Sequence, residues 1–300
     1  MNFEKLKNGK IVVTGGAGFI GSNLIKRLLG LGCTNIISLD DYSAGSVLNH
    51  HSGVNYHTGS TKNIKDIVSF PADFIFHFGE YSRVESSFMQ LNKTIQSNLL
   101  GTASVINYWL ESNAKLIYSG SSTKYILGEG QNETSPYSIT KRKNAEIINS
   151  LGTLLQKNYA TVYFYNVYGL NENCSEQYGT VISKFLKFKK ERLPLPVVKP
   201  GTQIRNFTHI DDTIEGILLA AEHGHGDDYG IGAEQAFSIL EVAKLFDADI
   251  EFIPERLGNR VSAELKTEKI KKLGWKQKHT LNKYIEIEIG KLQSAPKNYK

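Results

Sequence analysis

Cysteine is scarce in this sequence of 300 residues. Cys33 and Cys174 are its two cysteines, which are too few for a disulfide framework. No group of cysteine and histidine residues has the spacing of a zinc site, so we expect no metal. A reducing compartment is the expected setting, and we predict a cytoplasmic protein.

Long apolar runs are also missing. The first ten residues lead straight into a predicted strand, without the apolar core of a secretory signal peptide. No apolar run approaches the length of a membrane span. We therefore expect neither secretion nor an association with a membrane.

Charge of one sign is not in large excess. The formal net charge is +5, and the lysines are scattered or lie in helical stretches such as 184–190 and 266–272. A nucleic-acid groove needs clustered basic residues with aromatic residues between them, so we expect no nucleic-acid partner. A minority of the basic residues could instead serve an anionic substrate.

What the sequence does contain is an alternation of short β-branched runs with helical patterns. The predicted strands are 10–14, 35–39, 54–57, 73–78, 115–119 and 160–165. The predicted helices between them are 18–31, 63–69, 84–112 and 136–156, the third of which we expect to be broken. This alternation predicts an α/β fold with a Rossmann-type, doubly wound parallel sheet.

The alternation weakens after residue 168. Loops rich in Asn, Gly and Pro then surround predicted helices near 178–190, 211–222 and 239–245. We predict a nucleotide-binding domain of residues 1–168, to which part of 206–234 returns. A smaller, interwoven α/β lobe for the substrate is expected to contain residues 169–205 and 235–300.

A glycine-rich turn follows the first predicted strand. The stretch from Gly15 to Gly21, GGAGFIG, fits both G-x-x-G-x-x-G and, from Gly16, G-x-G-x-x-G. Such glycines let the backbone approach a pyrophosphate that faces the N-terminus of the next helix. Asp40 lies about 20 residues further on, where a carboxylate binds a ribose diol and repels a 2′-phosphate. The turn predicts NAD rather than NADP; the alternative is a purely structural turn.

Tyr137 and Lys141 stand four positions apart at the start of a predicted helix, which Ser135 and Pro136 open. This spacing places the phenol and the ammonium on one helix face. A phenol ordinarily ionises at about pH 10, and a nearby cation favours the phenolate, which can accept a proton from a substrate hydroxyl. The two residues are a candidate catalytic pair, although this spacing also occurs by chance on many helices.

Hydroxyl groups collect directly after the predicted strand 115–119, in the segment GSSTKY. Open α/β sheets bind ligands at the carboxyl ends of their strands. One of Ser121, Ser122 and Thr123 could therefore hold a substrate oxygen. The alternative is a serine-rich loop that caps the next segment.

With these motifs in place, the chain resembles the extended short-chain dehydrogenase/reductases, specifically the nucleotide-sugar epimerase and dehydratase family. The resemblance covers nearly the whole chain. It includes FHFG at 76–79 as the end of the fourth strand, NLLGT at 98–102 as the N-x-x-G-T helix and YNVYG at 165–169 as the N-V-Y-G stretch. The segment 201–212 resembles G-x-Q-x-R-D-F-x-x-V-D-D of the substrate lobe.

The resemblance implies a role for each candidate residue. Tyr137 would be the base, Lys141 would bind the nicotinamide ribose, and Ser121 would hydrogen-bond the reacting hydroxyl. NAD would contact both catalytic-pair residues and also Gly15, Gly18, Phe19, Ile20, Gly21, Asp40, Phe78, Gly79 and Asn98. A nucleotide-sugar substrate would contact Ser122, Thr123, Tyr81, Ser82, Arg83, Asn166, Arg205 and Arg256. A homodimer is expected through the helices near 84–112 and 136–156.

The expected reaction is the 4-epimerisation of a UDP-hexose or UDP-N-acetylhexosamine through a transient 4-keto intermediate. Family dehydratases have an Asp-Glu pair where this chain has Ser122 and Thr123, which disfavours 4,6-dehydration. A small residue near Ala263 would admit a 2-acetamido sugar. The alternatives are a 4-keto-sugar reductase, a CDP-sugar 2-epimerase and, in another class, a non-catalytic NAD-binding sensor.

Overall fold

The structure of the protein is a computed structural model that describes residues 3–125, 135–173, 175, 179–255 and 263–294. Its strands are β1 (Ile11–Thr14), β2 (Ile36–Asp40), β3 (Asn55–Thr58), β4 (Phe74–His77), β5 (Lys115–Ser121), β6 (Tyr159–Phe164), β7 (Val167–Tyr168), β8 (Leu195–Val198), β9 (Ile204–Asn206), β10 (Thr208–His209), β11 (Gly226–Ile231), β12 (Ala236–Ser238) and β13 (Ile250–Ile253).

The α-helices surround these strands. They are α1 (Glu4–Asn8), α2 (Phe19–Gly30), α3 (Ile64–Ile67), α4 (Val84–Met89), α5 (Leu91–Thr94), α6 (Thr102–Glu111), α7 (Pro136–Leu154), α8 (Val181–Glu191), α9 (Ile210–His223), α10 (Ile239–Lys244), α11 (Glu268–Lys272) and α12 (Leu281–Ser294). A π-helical stretch, Ile95–Gly101, joins α5 to α6. Within the described ranges, no helix combines the length and apolar character needed to cross a membrane.

Seven parallel strands form the central sheet, in the order β11-β6-β5-β4-β1-β2-β3. The chain winds outward from β1 in one direction through β2 and β3, and then from β4 in the other direction through β5 and β6. In such a sheet the crevice for a ligand lies at the carboxyl ends of the two central strands, here β1 and β4. The order confirms the predicted doubly wound α/β fold.

The six predicted strands are present as β1 to β6, each within two residues of its predicted bounds. The helix expected to be broken between 84 and 112 is divided into α4, α5, the π-helical stretch and α6. Helix α7 begins as predicted, because the Ser135 hydroxyl accepts a hydrogen bond from the Ser138 N–H at 3.1 Å and Pro136 opens the first turn. Helix α8 begins at Val181; Tyr178, where its predicted start lay, is outside the described residues.

Strand β11 was not predicted. Its sequence, GDDYGI, contains residues that are depleted in strands, so the local pattern favours a turn. Pairing with β6 overrides this preference, with a shift of register between Gly226 and Tyr229. A tertiary contact therefore adds the seventh strand at the edge of the sheet.

Two hydrophobic cores cover the two faces of the sheet, because side chains alternate along each strand. On β1, Ile11 and Val13 face the core that contains α2 and α9, while Val12 faces the core that contains α6 and α7. Burial of each such side chain contributes about 1.5–3 kcal/mol. A third core joins residues of α8, β8, α10 and α12 away from the sheet. The division into two domains at residue 168 stays a prediction.

Two helical glycines provide a test of this packing. A Cβ added to Gly152 in α7 would lie 2.3 Å from Cε1 of the buried Tyr159 ring, whereas nothing lies within 4 Å of a Cβ added to Gly290 in α12. We expect Gly152→Ala to lower the free energy of unfolding by about 1–3 kcal/mol because it overpacks the core. Gly290→Ala should raise it by up to about 1 kcal/mol through helix propensity alone.

Urea denaturation, monitored by circular dichroism, measures the change in the free energy of unfolding for both variants. Equal stabilisation of the two variants would show that Tyr159 does not pack against Gly152 as described.

Candidate active site

A cavity of about 790 Å³ opens at the carboxyl edge of the sheet, over β1 and β4. Its volume lies within the range of small-molecule and cofactor sites. The ends of β1, β2, β4 and β5 line it from one side, with the first turns of α2 and α7. The segment after β6 and residues around β8 and β9 line it from the other.

The glycine turn after β1 forms one wall of this cavity. Gly15 has φ +72°, and a Cβ on it would lie 2.8 Å from the backbone nitrogen of Gly79. A Cβ on Gly21 would lie 2.2 Å from the Gly15 carbonyl oxygen. The absence of side chains therefore brings backbone against backbone and leaves the N-terminus of α2 open to the cavity, where it can bind a phosphate.

Asp40 at the end of β2 also lines the cavity. Its carboxylate accepts hydrogen bonds from the Ala17 N–H at 2.9 Å and from the Tyr42 N–H at 2.8 Å. Burial raises the pKa of Asp40 by more than these hydrogen bonds lower it. The carboxylate is thus fixed to the glycine turn, and its remaining lone pairs can accept hydrogen bonds from a ribose diol. The turn and this carboxylate fit a dinucleotide.

Ser121 ends β5 and faces the cavity. Its Oγ accepts hydrogen bonds from the Thr123 hydroxyl at 3.0 Å and from the Thr123 N–H at 3.3 Å. Since both contacts use Oγ as an acceptor, the Ser121 proton is left to donate to a ligand in the cavity. Ser121 is therefore arranged as a hydrogen-bond donor.

Tyr137 and Lys141 reach the cavity from the first turns of α7. The Tyr137 N–H donates to the Ser87 hydroxyl at 3.3 Å, which ties this turn to α4. The Lys141 side chain is 5% exposed, and its ammonium donates to the Ser119 carbonyl at 2.6 Å and to the Ser119 hydroxyl at 3.2 Å. It also forms a close ion pair with Glu80.

Glu80 is a residue of this site that the sequence reasoning missed. Its side chain is fully buried in the segment after β4. One carboxylate oxygen binds Lys141, and the other accepts hydrogen bonds from Thr102 at 2.8 Å, Asn144 at 2.8 Å and Tyr118 at 3.1 Å. Lys141 is 61 positions away in the chain, so no local pattern could have indicated the pair.

A chain of hydrogen bonds connects Glu80 back to the glycine turn. Thr102 donates to Glu80, so its oxygen accepts from His77 Nε2 at 2.8 Å. His77 Nδ1 then accepts from the Thr14 hydroxyl at 2.7 Å, and the Thr14 oxygen accepts from the Gly79 N–H at 3.1 Å. Burial lowers the pKa of His77 to about 4, which agrees with the neutral ring that this chain requires.

Nearly all the predicted site residues line this one cavity. From the cofactor set these are Gly15, Gly18, Phe19, Ile20, Gly21, Asp40, Phe78, Gly79, Tyr137 and Lys141; the third catalytic candidate, Ser121, also lines it; from the substrate set they are Ser122, Thr123, Tyr81, Ser82, Arg83, Asn166 and Arg205. Arg256 lies outside the described residues. The contacts that each residue makes with a ligand stay predictions.

Asn98 differs from its expected place beside the cofactor. It is fully buried behind the cavity wall, within the π-helical stretch. Its Oδ1 accepts from the Tyr81 N–H at 2.7 Å, and its Nδ2 donates to the Tyr81 carbonyl and to Thr140 Oγ1, both at 3.0 Å. Because its amide is used in this way, Asn98 holds the backbone of Tyr81 in place.

Glu172 is a second carboxyl group at the cavity that the sequence reasoning missed. It lies after β7 and accepts a hydrogen bond from the Thr180 hydroxyl. Burial raises the pKa of Glu172 to about 8, although the charge of Arg83 acts in the opposite direction. Glu172 is therefore mainly protonated at neutral pH, so its carboxyl group can donate a hydrogen bond.

Among the described residues, His209, Asp211 and His279 bring possible metal-ligating atoms within 4.8 Å of one another, away from the cavity. These atoms already have structural roles. His209 Nδ1 accepts from the Asp211 N–H at the start of α9, and His279 Nδ1 lies 2.9 Å from Asp212 Oδ1. The two rings also stack, with centroids 4.3 Å apart.

A parallel sheet with a glycine turn after β1 and a Tyr/Lys pair at the start of one helix is typical of the short-chain dehydrogenase/reductases. The chain belongs to the NAD-dependent epimerase/dehydratase family, whose model matches residues 11–232. This membership confirms the predicted family and NAD as its cofactor, and it makes the protein an enzyme of this family.

Known relatives differ in reaction. UDP-glucuronic acid decarboxylase 2 of Arabidopsis thaliana is 28% identical over 95% of this chain and 68% of its own length. The UDP-glucose 4-epimerase of Thermotoga maritima, solved with UDP-glucose, has a TM-score of 0.85 and 23% identity over 94% of this chain and 98% of its own. The UDP-glucose 4-epimerase of Thermus thermophilus, solved with NAD, has a TM-score of 0.83 and 21% identity over 95% of this chain and 99% of its own.

The raised pKa of Glu172 predicts a pH-dependent stability. A carboxyl group whose pKa is higher in the folded than in the unfolded protein stabilises the fold below about pH 4.5, and this contribution is lost as the pH rises through about 8. Glu172→Gln keeps a neutral side chain at every pH. We expect its stability, relative to that of the wild type, to increase by at least about 1 kcal/mol between pH 5 and pH 9.

Urea denaturation at a series of pH values measures this difference. Glu146→Gln, which removes an exposed carboxylate of α7, is the matched control and should run parallel to the wild type. If the Glu172→Gln curve also runs parallel, Glu172 titrates as an ordinary surface carboxylate.

Proposed function

We propose that the protein is an NAD-dependent nucleotide-sugar 4-epimerase that acts on a UDP-hexose or UDP-N-acetylhexosamine. The observation that carries the proposal is the convergence of Ser121, Tyr137 and Lys141 on the same cavity as the glycine turn. A cofactor and a sugar hydroxyl bound in that cavity would lie beside a base, a cation and a hydroxyl donor.

In this proposal NAD supplies the acceptor and donor of hydride for carbon 4 of the sugar. Tyr137 accepts the proton of the 4-hydroxyl and later returns it to the same oxygen. Ser121 donates a hydrogen bond to that oxygen, because its own Oγ already accepts from Thr123. Lys141 holds the nicotinamide ribose and favours the phenolate of Tyr137. The 4-keto sugar would have to present its other face before the hydride returns to carbon 4, and because the same hydride is returned, no external reductant would be consumed.

The hydroxyl residues after β5 support epimerisation over dehydration. Elimination of water needs an acid and a base beside the sugar. Ser122 and Thr123 occupy the positions where family dehydratases have Asp and Glu, and both line the cavity with hydroxyl groups. Glu80 also lines the cavity, but its carboxylate is engaged by Lys141.

A UDP-uronic acid is the second candidate substrate. Arg83 lines the cavity, and its charge acts on Glu172 in the same wall. A guanidinium group can bind a sugar carboxylate through two parallel hydrogen bonds. The 28% identity to a UDP-glucuronic acid decarboxylase favours this candidate. A 4-keto-sugar reductase would use the same catalytic pair but would consume reduced cofactor.

The proposed homodimer is supported by apolar side chains on the surface of α4, α5, the π-helical stretch and α7. Met89 is 89% exposed, and the others are Phe88, Leu91, Leu100, Ile139 and Ile147. Helix α7 packs against both α4 and α5, so these side chains lie on neighbouring helices. Burial of such a surface against a second copy would remove apolar area from water.

The first experiment is to incubate the purified protein, without added cofactor, with UDP-glucose, UDP-N-acetylglucosamine, their 4-epimers and UDP-glucuronic acid. We expect NMR to show interconversion of 4-epimers without net production of NADH, because the hydride returns to the sugar. Loss of the sugar carboxylate as CO₂ would favour the second candidate. A stoichiometric demand for NADH or NADPH would favour a reductase.

Tyr137→Phe is the matched variant. It removes one hydroxyl and should reduce turnover by about 10²–10⁴-fold, while the glycine turn and Asp40 still hold NAD. Near-normal turnover by this variant would refute the assignment of Tyr137 as the base.

Light scattering tests the dimer. We expect a mass near twice the 33.5 kDa of one chain for the wild type, and a shift toward one chain for Leu91→Glu, which would place a charge in the buried surface. A single-chain mass for the wild type at working concentration would contradict the proposed assembly.

A further inference from the structure

We propose that Glu80 is a positioning residue for the catalytic pair, which holds the Lys141 ammonium at the end of β5 and offsets part of the positive charge that acts on Tyr137. This inference rests on the proposed role of Tyr137 as the base. It assigns a function to a carboxylate that no sequence motif indicated.

The Lys141 ammonium already uses all of its hydrogen-bond donors. An ammonium group has three N–H donors. Lys141 uses them on the Glu80 carboxylate, the Ser119 carbonyl and the Ser119 hydroxyl. To bind a nicotinamide ribose, Lys141 must release one of these partners, and the 3.2 Å contact with the neutral Ser119 hydroxyl is the weakest of the three. Glu80 and the Ser119 carbonyl would continue to hold the ammonium.

The groups around Glu80 keep its carboxylate ionised and fixed in position. Thr102, Asn144 and Tyr118 donate to the carboxylate oxygen that does not face Lys141. Burial raises the pKa of Glu80, but Lys141, His77 and the hydrogen bonds lower it by more, so it lies below the usual value. The carboxylate is therefore ionised throughout the working pH range, and its position is fixed by four donors.

The charge of Glu80 acts on the same side chain as the charge of Lys141. Beside the pair lie His77 of β4, Glu80 of the segment after β4 and Tyr118 of β5. The cavity that Tyr137 lines is also lined by charged and titratable residues of the α4–α5 side and of the segment after β7, which are Arg83, Glu85, Lys93 and Glu172. His77 is neutral because its pKa is about 4, and burial raises the pKa of Tyr118 well above its usual value. Of the described hydrogen-bond partners of the Lys141 ammonium, Glu80 is the one that carries a charge. The carboxylate opposes the effect of the ammonium on the phenolate.

The test is the pH dependence of turnover in Glu80→Gln, which keeps the shape of the side chain and removes its charge. We expect the acidic limb of the profile, along which the rate rises as the base loses its proton, to move to lower pH by about one unit. Glu146→Gln removes an exposed carboxylate from the helix that carries the pair and should leave the limb in place. A purely structural role of Glu80 would lower the rate at every pH without moving the limb.

A second readout does not depend on turnover. The near-ultraviolet absorbance of phenolate is titrated in the NAD-loaded wild type and in Tyr137→Phe, and the difference reports Tyr137 alone. The same difference is then measured between Glu80→Gln and the double variant Glu80→Gln/Tyr137→Phe. The midpoint of this titration should lie at lower pH than in the wild type. If the wild type converts no nucleotide sugar, the proposed function fails while this titration still tests Glu80.

Tyr118→Phe is the second variant. It removes one donor to Glu80 and leaves more of the carboxylate charge to act, so the limb should move to higher pH by a few tenths of a unit. This variant retains the buried ring, so it still tests the proposal if Glu80→Gln does not fold. Profiles of folded Glu80→Gln or Tyr118→Phe that coincide with the wild type in both readouts would overturn the proposal.

Discussion

The contact between the turn after β1 and the segment after β4 is the constraint on which the rest of the site depends. Gly15 and Gly79 meet backbone to backbone, at a separation that leaves no room for a Cβ. Thr14 reinforces the contact by accepting a hydrogen bond from the Gly79 N–H. Because these two strands are neighbours at the point where the strand order reverses, the contact shapes the crevice for the dinucleotide.

The same contact determines where charge lies in the site. The residue after Gly79 is Glu80, so the path of the backbone past Gly15 delivers a carboxylate to the buried side of Lys141. A buried carboxylate without a partner would be strongly destabilising, and this one has four donors. One short segment therefore contacts both the glycine turn and Lys141 of the proposed catalytic pair. Glu172, which is mainly protonated at neutral pH, adds no full negative charge to the cavity.

Much of the site could be predicted from the sequence because its motifs are local. The glycine turn, the pair of Tyr137 and Lys141, and the hydroxyl cluster at Ser121 are each contained within a few residues of one turn or helix. Asn98 shows the limit of that approach, since a motif places the residue near the cofactor but does not show that its amide is used by the backbone of Tyr81. Glu80 and Glu172 were missed because a single acidic residue has no periodicity.

The sequence by itself determined the order of the strands along the chain, the faces of the helices and the position of the cofactor turn. These depend on hydrophobic period, capping and glycine placement, which act over a few neighbouring residues. Only the tertiary structure decided that β11 joins the sheet and that Glu80 pairs with Lys141. Both are contacts between residues far apart in the chain, and their energies depend on burial and geometry that arise only when the chain has folded.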